Sequence, residues 1–357
     1  MKVSTVKAMH DIPFPILNAA PPGPPAAMAA ASLVFHTSNP SYSALLLRHA
    51  RQLFRFAARR RGRYHASVPA AKGYYPSVSG YGDELLWAAL WLRRATGDSQ
   101  YLDYVVDNAY ALGGATWSVS EFSWDIKYAG VQILAAKVLM EEGAAELSSH
   151  QRRILEEYKS KGEHYLCACL NLHRPDKKNN NVRPPPAGLF YTRQWNNLQY
   201  VSTAAFILAA YSDYLDVAGI PLRCPAAGEV PPAVLLSFAR SQADYILGNN
   251  PHGLSYLVGF GDRYPSRVHH RAASADGGGG GGEFVGCTEG YHRWFGRNRR
   301  NPHVVVGAVV GGPDSADGFR DARSNFVQTE ACTYNTAPMV GVFARLIRDT
   351  NSTFFSI

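Results

Sequence analysis

The sequence lacks any apolar run long enough to cross a lipid bilayer, so it does not predict a membrane-spanning protein. Residues 1–11 also lack the continuous apolar core of a secretory signal peptide. Charged side chains are few, at 18% of the chain, whereas hydrophobic residues make up 46%. This balance excludes an intrinsically disordered chain and predicts a globular one with a sizeable core.

Cysteine is scarce as well, with 5 residues in 357. An odd number at irregular spacing excludes a disulfide-dense scaffold and fits no zinc site, but it leaves one or two bridges open. Because the sequence has neither a cluster of metal-ligating residues nor a nucleotide-binding glycine loop, we expect no metal and no cofactor. The cysteines are Cys167, Cys169, Cys224, Cys287 and Cys332.

The net charge of +8 raises the question of an acidic partner. The densest basic patch lacks the interleaved aromatic side chains of a nucleic-acid site, so we expect no nucleic-acid partner. We interpret the patch as the solvated end of a helix, where cations are favoured, and attraction to an acidic polysaccharide is the alternative. The patch consists of Arg55, Arg59, Arg60, Arg61 and Arg63.

Helical patterns succeed one another along the chain, each bounded by capping residues or by glycine. The pattern predicts an all-α protein of paired helices joined by long irregular loops. Residues 1–25, which end in a proline-rich stretch, are interpreted as an unstructured leader. A short strand-like piece is expected at 304–310. The predicted helices cover about 39–62, 83–96, 98–113, 125–142, 149–169, 198–217, 232–247 and 334–348.

The segment from Phe319 to Glu330 offers two carboxylates, Asp321 and Glu330. Aromatic side chains on both sides, including Phe326 and Tyr334, would help Glu330 to retain its proton near neutral pH, as a general acid must. The alternative is that Asp321 caps a turn and Glu330 begins a helix, where acidic residues are favoured anyway.

A second segment, residues 255–271, carries His269 and Arg271 after a loop with glycine and proline. The two segments together resemble the two active-site signatures of glycoside hydrolase family 9, the plant endo-1,4-β-glucanases or cellulases. The first segment matches its signature throughout. The likeness covers roughly residue 26 to the C-terminus and includes motifs at 80–87, 122–127, 194–200, 245–251 and 311–314.

The second segment departs from its signature at two positions. Cys332 stands where the family has Ser, Thr or Ala, and Thr336 stands where it has Asn. The nearest Asn is Asn335, one place early, so the position of Tyr334 stays open at this point.

The resemblance implies an incomplete (α/α)6 toroid with long irregular loops. About eight helices are predicted, where such a toroid has about twelve, and residues 26–357 would form the C-terminal portion of the catalytic domain. The implied protein is a secreted, monomeric endo-1,4-β-glucanase of the cell wall. It would hydrolyse internal β-1,4-glucosidic bonds of cellulose or related wall glucans by inversion.

The resemblance also implies a role for each candidate residue. Glu330 matches the general acid, and Asp321 matches an aspartate that orients its neighbours through hydrogen bonds. His269 matches a catalytic residue that, with Arg271, holds the sugar at the cleavage subsite, although a structural histidine is the alternative. Further residues implied to bind substrate are Trp124, Trp195, Tyr81 and Tyr334, each of which could instead be an ordinary packing residue.

The family's general base lies in an Asp-Ala-Gly-Asp motif near the start of the domain, and this sequence contains no such motif. We therefore expect a truncated gene product or an incomplete gene model. Three hypotheses stay open. The chain could be a glucanase, a catalytically impaired form that acts at most as a β-glucan-binding protein, or a chain that does not fold stably because apolar helix faces are uncovered.

Overall fold

The computed structural model describes residues 23–118, 121–142, 146–173, 185–276 and 285–354, with side chains to 348. Helices dominate, which confirms the predicted fold class. In chain order they are α1 (Gly23–Phe35), α2 (Pro40–Arg59), α3 (Tyr64–Ser67), α4 (Gly82–Thr96), α5 (Ser99–Asp107), α6 (Tyr128–Glu141), α7 (Ser149–Cys169), α8 (Leu198–Ala218), α9 (Pro232–Leu247), α10 (Arg271–Ser274), α11 (Cys287–Gly290), α12 (Phe326–Thr329) and α13 (Thr333–Phe354). A 3₁₀ turn (Pro69–Gly73), a π-helical turn (Tyr291–Phe295) and a hairpin of β1 (Leu222–Cys224) and β2 (Gly228–Val230) complete the elements.

Local sequence accounts for the helix ends. Asn39 caps α2, because its side chain accepts a hydrogen bond from the Tyr42 amide, and Pro40 occupies the first turn. Asp98 caps α5 in the same way. Gly97 and Gly219 end α4 and α8 in the left-handed conformation that glycine adopts without strain. These signals are local, and all eight predicted helices are therefore found.

The structure differs from the predicted elements at several places. The helix predicted at 98–113 ends at Asp107, and the 13-residue helix α1 was not predicted. Helix α1 begins at Gly23, so residues 23–25 of the expected leader are helical, and residues 1–22 lie outside the described part of the chain. The expected strand at 304–310 is reduced to one isolated bridge, between Leu257 and Val309. The four-residue helices were not predicted, because one turn leaves too little periodicity to detect.

The chain divides into two compact units. The first comprises Met1–Val119 and Asp125–Gly162. In it α4 is the central helix and packs against α1, α2, α5 and α6. Its core residues on α4 include Leu85, Leu86 and Leu90, which are fully buried. This explains why the helix is apolar nearly all round in sequence.

The second unit comprises Ser120–Trp124 and Glu163–Ile357. Here α8 packs against α9 and α13. A disulfide joins Cys167 on α7 to Cys224 on β1, and thus answers the pairing question that the sequence left open. The long stretch from 249 to 332 holds no helix longer than five residues among those described, and the candidate site residues 269 to 330 lie in it. No described helix is both long enough and apolar enough to span a membrane.

Three buried carboxylates of the first unit, Asp83, Glu84 and Asp125, influence one another electrostatically. Asp83 accepts hydrogen bonds from the Lys127 amide and the Ser79 hydroxyl, and Asp125 accepts them from the Val78 and Ser79 amides. Burial, and then the charge of Asp83, raises the pKa of Glu84 from 4.5 to about 8. Burial also lowers the pKa of Lys127. Glu84 is therefore protonated in the folded protein at neutral pH.

A Glu84→Gln variant should lose the dependence of the unfolding free energy on pH that Glu84 causes. Because the folded pKa of Glu84 is raised, its stabilising effect is complete below about pH 4.5 and is lost as the pH rises through 8. Gln stays neutral, so the variant should gain stability relative to the native chain by about 1.4 kcal/mol per pKa unit of the shift. Denaturant unfolding between pH 5 and 9 measures the difference. The control is Glu156→Gln, an exposed position on α7. Parallel curves for native and Glu84→Gln protein would contradict the burial argument.

Candidate active site

The two predicted segments lie side by side in the second unit. His269 and Glu330 form an isolated parallel bridge, and the His269 amide donates a 3.0 Å hydrogen bond to the Thr329 carbonyl. Glu330 ends the short helix α12 with extended backbone, at φ −70° and ψ 128°. Residues 61 positions apart in the chain are thereby adjacent in the backbone. The pairing brings an imidazole and a half-buried carboxyl into one site.

The His269 ring is held from several sides. Its Nδ1 lies 2.7 Å from the Arg323 carbonyl oxygen. A carbonyl can only accept, so Nδ1 carries a proton and Nε2 is left to act as an acceptor when the ring is neutral. Phe295 stands edge-on at 5.3 Å and Phe326 is tilted at 5.8 Å. These contacts restrict the ring to one orientation.

Asp321 serves the loop that precedes His269. Its Oδ2 accepts hydrogen bonds from the Ser266 amide and hydroxyl, both at 2.9 Å, and its Oδ1 accepts one from the Arg267 amide at 2.9 Å. The Arg267 guanidinium lies 4.0 Å away. A carboxylate with both oxygens engaged in this way orients backbone. This arrangement fits the orienting role expected for Asp321.

Tyr334 lies among polar and aromatic groups near Glu330. Its ring centre is 6.5 Å from that of Trp124, and its hydroxyl accepts a 3.3 Å hydrogen bond from the Asn196 amide group. Burial raises the pKa of Tyr334, and contact with Cys332 and the charge of Glu330 raise it further. Tyr334 is therefore a neutral phenol at physiological pH.

The two departures from the signature are accommodated by hydrogen bonds. The Thr336 hydroxyl accepts a 3.1 Å hydrogen bond from the Val309 amide, while the fully buried Asn335 donates to the Val309 carbonyl and, at 2.7 Å, to Asn196. The Cys332 thiol accepts from the Asn196 amide group at 3.6 Å, and burial raises its pKa. Cys332 thus stays a neutral thiol in a place that a hydroxyl could fill.

The Trp195 turn is tied to the same segment. Asn196 has a φ of 52°, a left-handed conformation that Asn tolerates better than most residues, and its amide donates to the Val327 carbonyl at 2.9 Å. Arg193 forms a 2.7 Å ion pair with Glu121, three residues before Trp124. Both tryptophans are half-buried, so part of each ring is accessible.

Two candidates are less well connected. Arg271 is exposed at the start of α10, and within the described ranges its guanidinium makes no hydrogen bond or ion pair. Tyr81 is half-buried at the start of α4, in the first unit. Arg271 is thus available to a ligand, and the role of Tyr81 stays a prediction.

Sequence reasoning missed Arg323, Asn196 and Asn301. Asn301 donates to the Val268 carbonyl at 3.0 Å and so supports the strand that carries His269. Arg323 stands two residues after Asp321, and its place inside a catalytic-looking segment was the one available signal. A backbone-binding side chain leaves no periodic or spacing signature, which is why the other two could not be found.

Asp321 also lines a polar cavity of about 590 Å³ whose other walls include Arg263, Arg267 and Arg300. The cavity is lined by charged groups and contains no tryptophan, whereas Trp124 and Trp195 lie elsewhere. Among the side chains that the structure describes, no three His, Cys, Asp or Glu residues are grouped as metal ligands.

Comparison with known proteins identifies relatives over most of the chain. Residues 24–343 match the model of "Glycosyl hydrolase family 9". Endoglucanase 7 of Oryza sativa subsp. japonica is 57% identical over 324 residues, a match that covers 90% of this chain and 60% of that protein. The chain therefore spans about 60% of the length of the curated relatives it matches.

Solved structures agree. An endoglucanase from the termite Nasutitermes takasagoensis superimposes with a TM-score of 0.71 at 33% identity, over 90% of this chain and 63% of that one. Endoglucanase CelQ from Clostridium thermocellum, solved with cellobiose and cellotriose, gives 0.67 at 30% identity, over 90% and 46%. The helical (α/α)6 fold class implied by the resemblance is confirmed.

An Asp321→Asn variant should loosen the loop before His269. An amide offers one acceptor oxygen, and its NH₂ group would face the N–H and O–H donors of Ser266 and Arg267. We expect faster hydrogen exchange in a peptide covering 264–271, and a stability loss of about 1–3 kcal/mol. Asp262→Asn, exposed on the same loop, is the matched control and should exchange like the native chain. Native exchange in Asp321→Asn would show that the carboxylate does not order this loop.

Proposed function

The chain belongs to glycosyl hydrolase family 9, and from this premise we propose that it is an endo-1,4-β-glucanase that hydrolyses internal bonds of cellulose or related wall glucans by inversion. In this proposal Glu330 is the general acid that protonates the glycosidic oxygen. The observation that carries it is the bridge between His269 and Glu330. Because their backbones pair, a sugar held by the imidazole lies beside the carboxyl.

The neighbouring groups support this role. Glu330 is half-buried, so it is accessible while partly shielded from water. Tyr334 is a neutral phenol and can donate a hydrogen bond, and the exposed Arg271 can hold sugar hydroxyls with its fixed donors. His269 accepts a hydrogen bond from a sugar hydroxyl at Nε2. Asp321 is a positioning residue for the loop and does not transfer a proton.

Aromatic side chains supply the contact with a glucan. The apolar faces of sugar rings pack on Trp and Tyr, and Trp124, Trp195 and Tyr334 each tie into the segment that carries Glu330. CelQ was solved with cellobiose and cellotriose, which supports a β-1,4-glucan as the substrate here. Tyr81, in the first unit, stays a candidate glucan-binding residue by resemblance.

A second function has its own support. Inversion needs a base carboxylate about 6.5–9.5 Å from the acid, with room for water. The family's Asp-Ala-Gly-Asp motif is not in the 357-residue sequence, and both oxygens of Asp321 are engaged by the 266–267 loop. The alternative is therefore a β-glucan-binding protein with impaired catalysis.

The disulfide bears on location. A bridge between Cys167 and Cys224 persists in oxidising compartments and is rare in the cytosol. We therefore propose that the protein acts outside the cell, as a monomer in the wall.

Glu330→Gln should separate catalysis from binding. Removing the acid should lower the release of reducing ends from carboxymethylcellulose by about 10²–10⁴-fold. Cellotetraose affinity should stay within a few-fold, because Gln preserves shape and hydrogen bonding. Rates and calorimetric titration measure the two effects. Equal rates for the native and Glu330→Gln proteins would overturn the assignment of Glu330.

Sodium azide tests whether the native chain lacks only the base. Azide attacks the anomeric carbon without deprotonation while Glu330 protonates the leaving oxygen, so it should raise the cleavage rate and yield a glycosyl azide. Glu330→Gln should show no such gain. If the native chain hydrolyses the substrate slowly and azide does not raise its cleavage rate, the glucanase proposal fails and the β-glucan-binding protein remains.

Trp124→Ala tests the binding surface. Loss of a stacking platform should weaken cellotetraose binding by about 1–3 kcal/mol, the scale of a lost aromatic contact. Trp117→Ala, at a ring stacked on Tyr128 in the first unit, is the control and should bind like the native chain. Equal losses in both variants would point to general destabilisation instead of stacking.

A further inference from the structure

Arg323 is the most deeply buried arginine among the described residues, with 4% of its surface exposed. Its guanidinium donates to backbone: Nη1 to the Trp294, Phe295 and Arg297 carbonyls, at 3.3, 2.6 and 2.6 Å, and Nη2 to the Arg299 carbonyl. Nε donates to the Asn301 side chain at 2.6 Å. Burial, followed by the charges of Arg299 and Arg267, lowers the pKa of Arg323.

A buried cation is usually matched by a carboxylate. Throughout the described ranges no carboxylate forms an ion pair with Arg323. Carbonyl dipoles replace it, so the guanidinium of one side chain gathers residues 294–301 around a single point through five hydrogen bonds. We call this arrangement the Arg323 clamp. Keeping it intact requires a planar fork of donors, which Lys does not have.

The clamp is connected to the segment that carries His269. Asn301 accepts from Arg323, donates through its side chain to the Val268 carbonyl at 3.0 Å, and donates through its amide to the Ser266 carbonyl at 2.8 Å. Phe295, whose carbonyl is clamped, places its ring edge-on to His269. The side chain of Arg323 therefore supports His269 by two routes, through Asn301 to the Val268 backbone and through Phe295 to the imidazole ring.

The backbone of Arg323 completes the arrangement. Its carbonyl accepts the Nδ1–H of His269 at 2.7 Å. We propose that Arg323 is the positioning residue that sets the tautomer and orientation of His269, and that it does so by anchoring residues 294–301 with its side chain while its carbonyl receives the Nδ1 proton. This inference rests on the proposed function for its catalytic consequence, but the tautomer can be observed without any activity.

The consequence concerns what His269 offers to a sugar. Because the Arg323 carbonyl keeps the proton on Nδ1, the neutral ring presents Nε2 as a hydrogen-bond acceptor towards a hydroxyl. If the carbonyl shifts, the ring can take the other tautomer and present a donor. The charged residues of the paired segment 321–330 are Asp321, Arg323 and Glu330, and Arg267 and Arg271 flank His269 in its own segment.

The test is the nitrogen NMR spectrum of the histidine side chains in ¹⁵N-histidine protein, with His269→Gln to assign the His269 signal. In the native chain we expect a protonated Nδ1 and an unprotonated Nε2 above the pH at which the ring loses its charge. In Arg323→Gln we expect a mixture of the two tautomers, and in Arg323→Lys an intermediate spectrum. Where cleavage is measurable, kcat should fall about 10²-fold in Arg323→Gln, as for a displaced catalytic group, with KM changing less.

The matched control is Arg299→Gln. It removes a charge from the same segment while leaving the Arg299 carbonyl that Arg323 binds, so its His269 spectrum should be native. A pure Nδ1–H tautomer in folded Arg323→Gln or Arg323→Lys would overturn the proposal, whatever the activity. The expected change of tautomer in Arg323→Gln, together with no hydrolysis by the native chain, would defeat the proposed function and leave the positioning role of Arg323 standing. If Arg323→Gln does not fold, Arg323→Lys and Asn301→Ala, which removes one clamp partner, decide the question.

Discussion

The candidate site depends on one pairing of irregular backbone, in which residues 266–269 lie against residues 321–330. A single bridge between His269 and Glu330 marks it, and hydrogen bonds to the Asp321 carboxylate and to the Arg323 carbonyl extend it. Helices contribute at the margins, since α12 ends at Thr329, directly before Glu330, and α13 starts at Thr333. An all-α fold therefore builds this site where its helices stop, as expected for functional loops on a rigid scaffold.

Asp321 and Arg323 organise the pairing with opposite polarity. The carboxylate accepts hydrogen bonds from backbone amides of the loop before His269, and the guanidinium donates hydrogen bonds to carbonyls of the segment 294–299. Irregular backbone carries unsatisfied donors and acceptors in equal number, and buried ones need partners. Two ionised side chains, one residue apart from each other across Ala322, satisfy both kinds. Charge-assisted hydrogen bonds are stronger than neutral ones, so a few side chains can order a long loop.

Sequence reasoning predicted the parts of the fold that have local causes. The caps at Asn39 and Asp98 and the glycine at 248 mark helix ends because each acts on its own turn, whereas the stop predicted at Gly113 is wrong, since that helix ends at Asp107. The fold class follows from the periodicity and is confirmed. Within the site, the pairing of His269 with Glu330 follows from the two signatures, whereas the catalytic roles stay predictions. Long-range partners could not be predicted. The Cys167–Cys224 bridge and the contacts of Arg323 depend on which segments meet in space, and no spacing in the chain encodes that.

Three aspartates of this chain bind backbone amides of loops. Asp125 holds the Val78 and Ser79 amides in the first unit, and Asp321 holds those of Ser266 and Arg267 in the second. Asp317, itself in a left-handed conformation at φ 62°, likewise accepts the Ala187 amide. Each carboxylate fixes a turn that has no helix or strand to fix it, which is how loops of this length become ordered without extra secondary structure. Both units use the same device, in which a carboxylate supplies the acceptors that loop amides would otherwise lack.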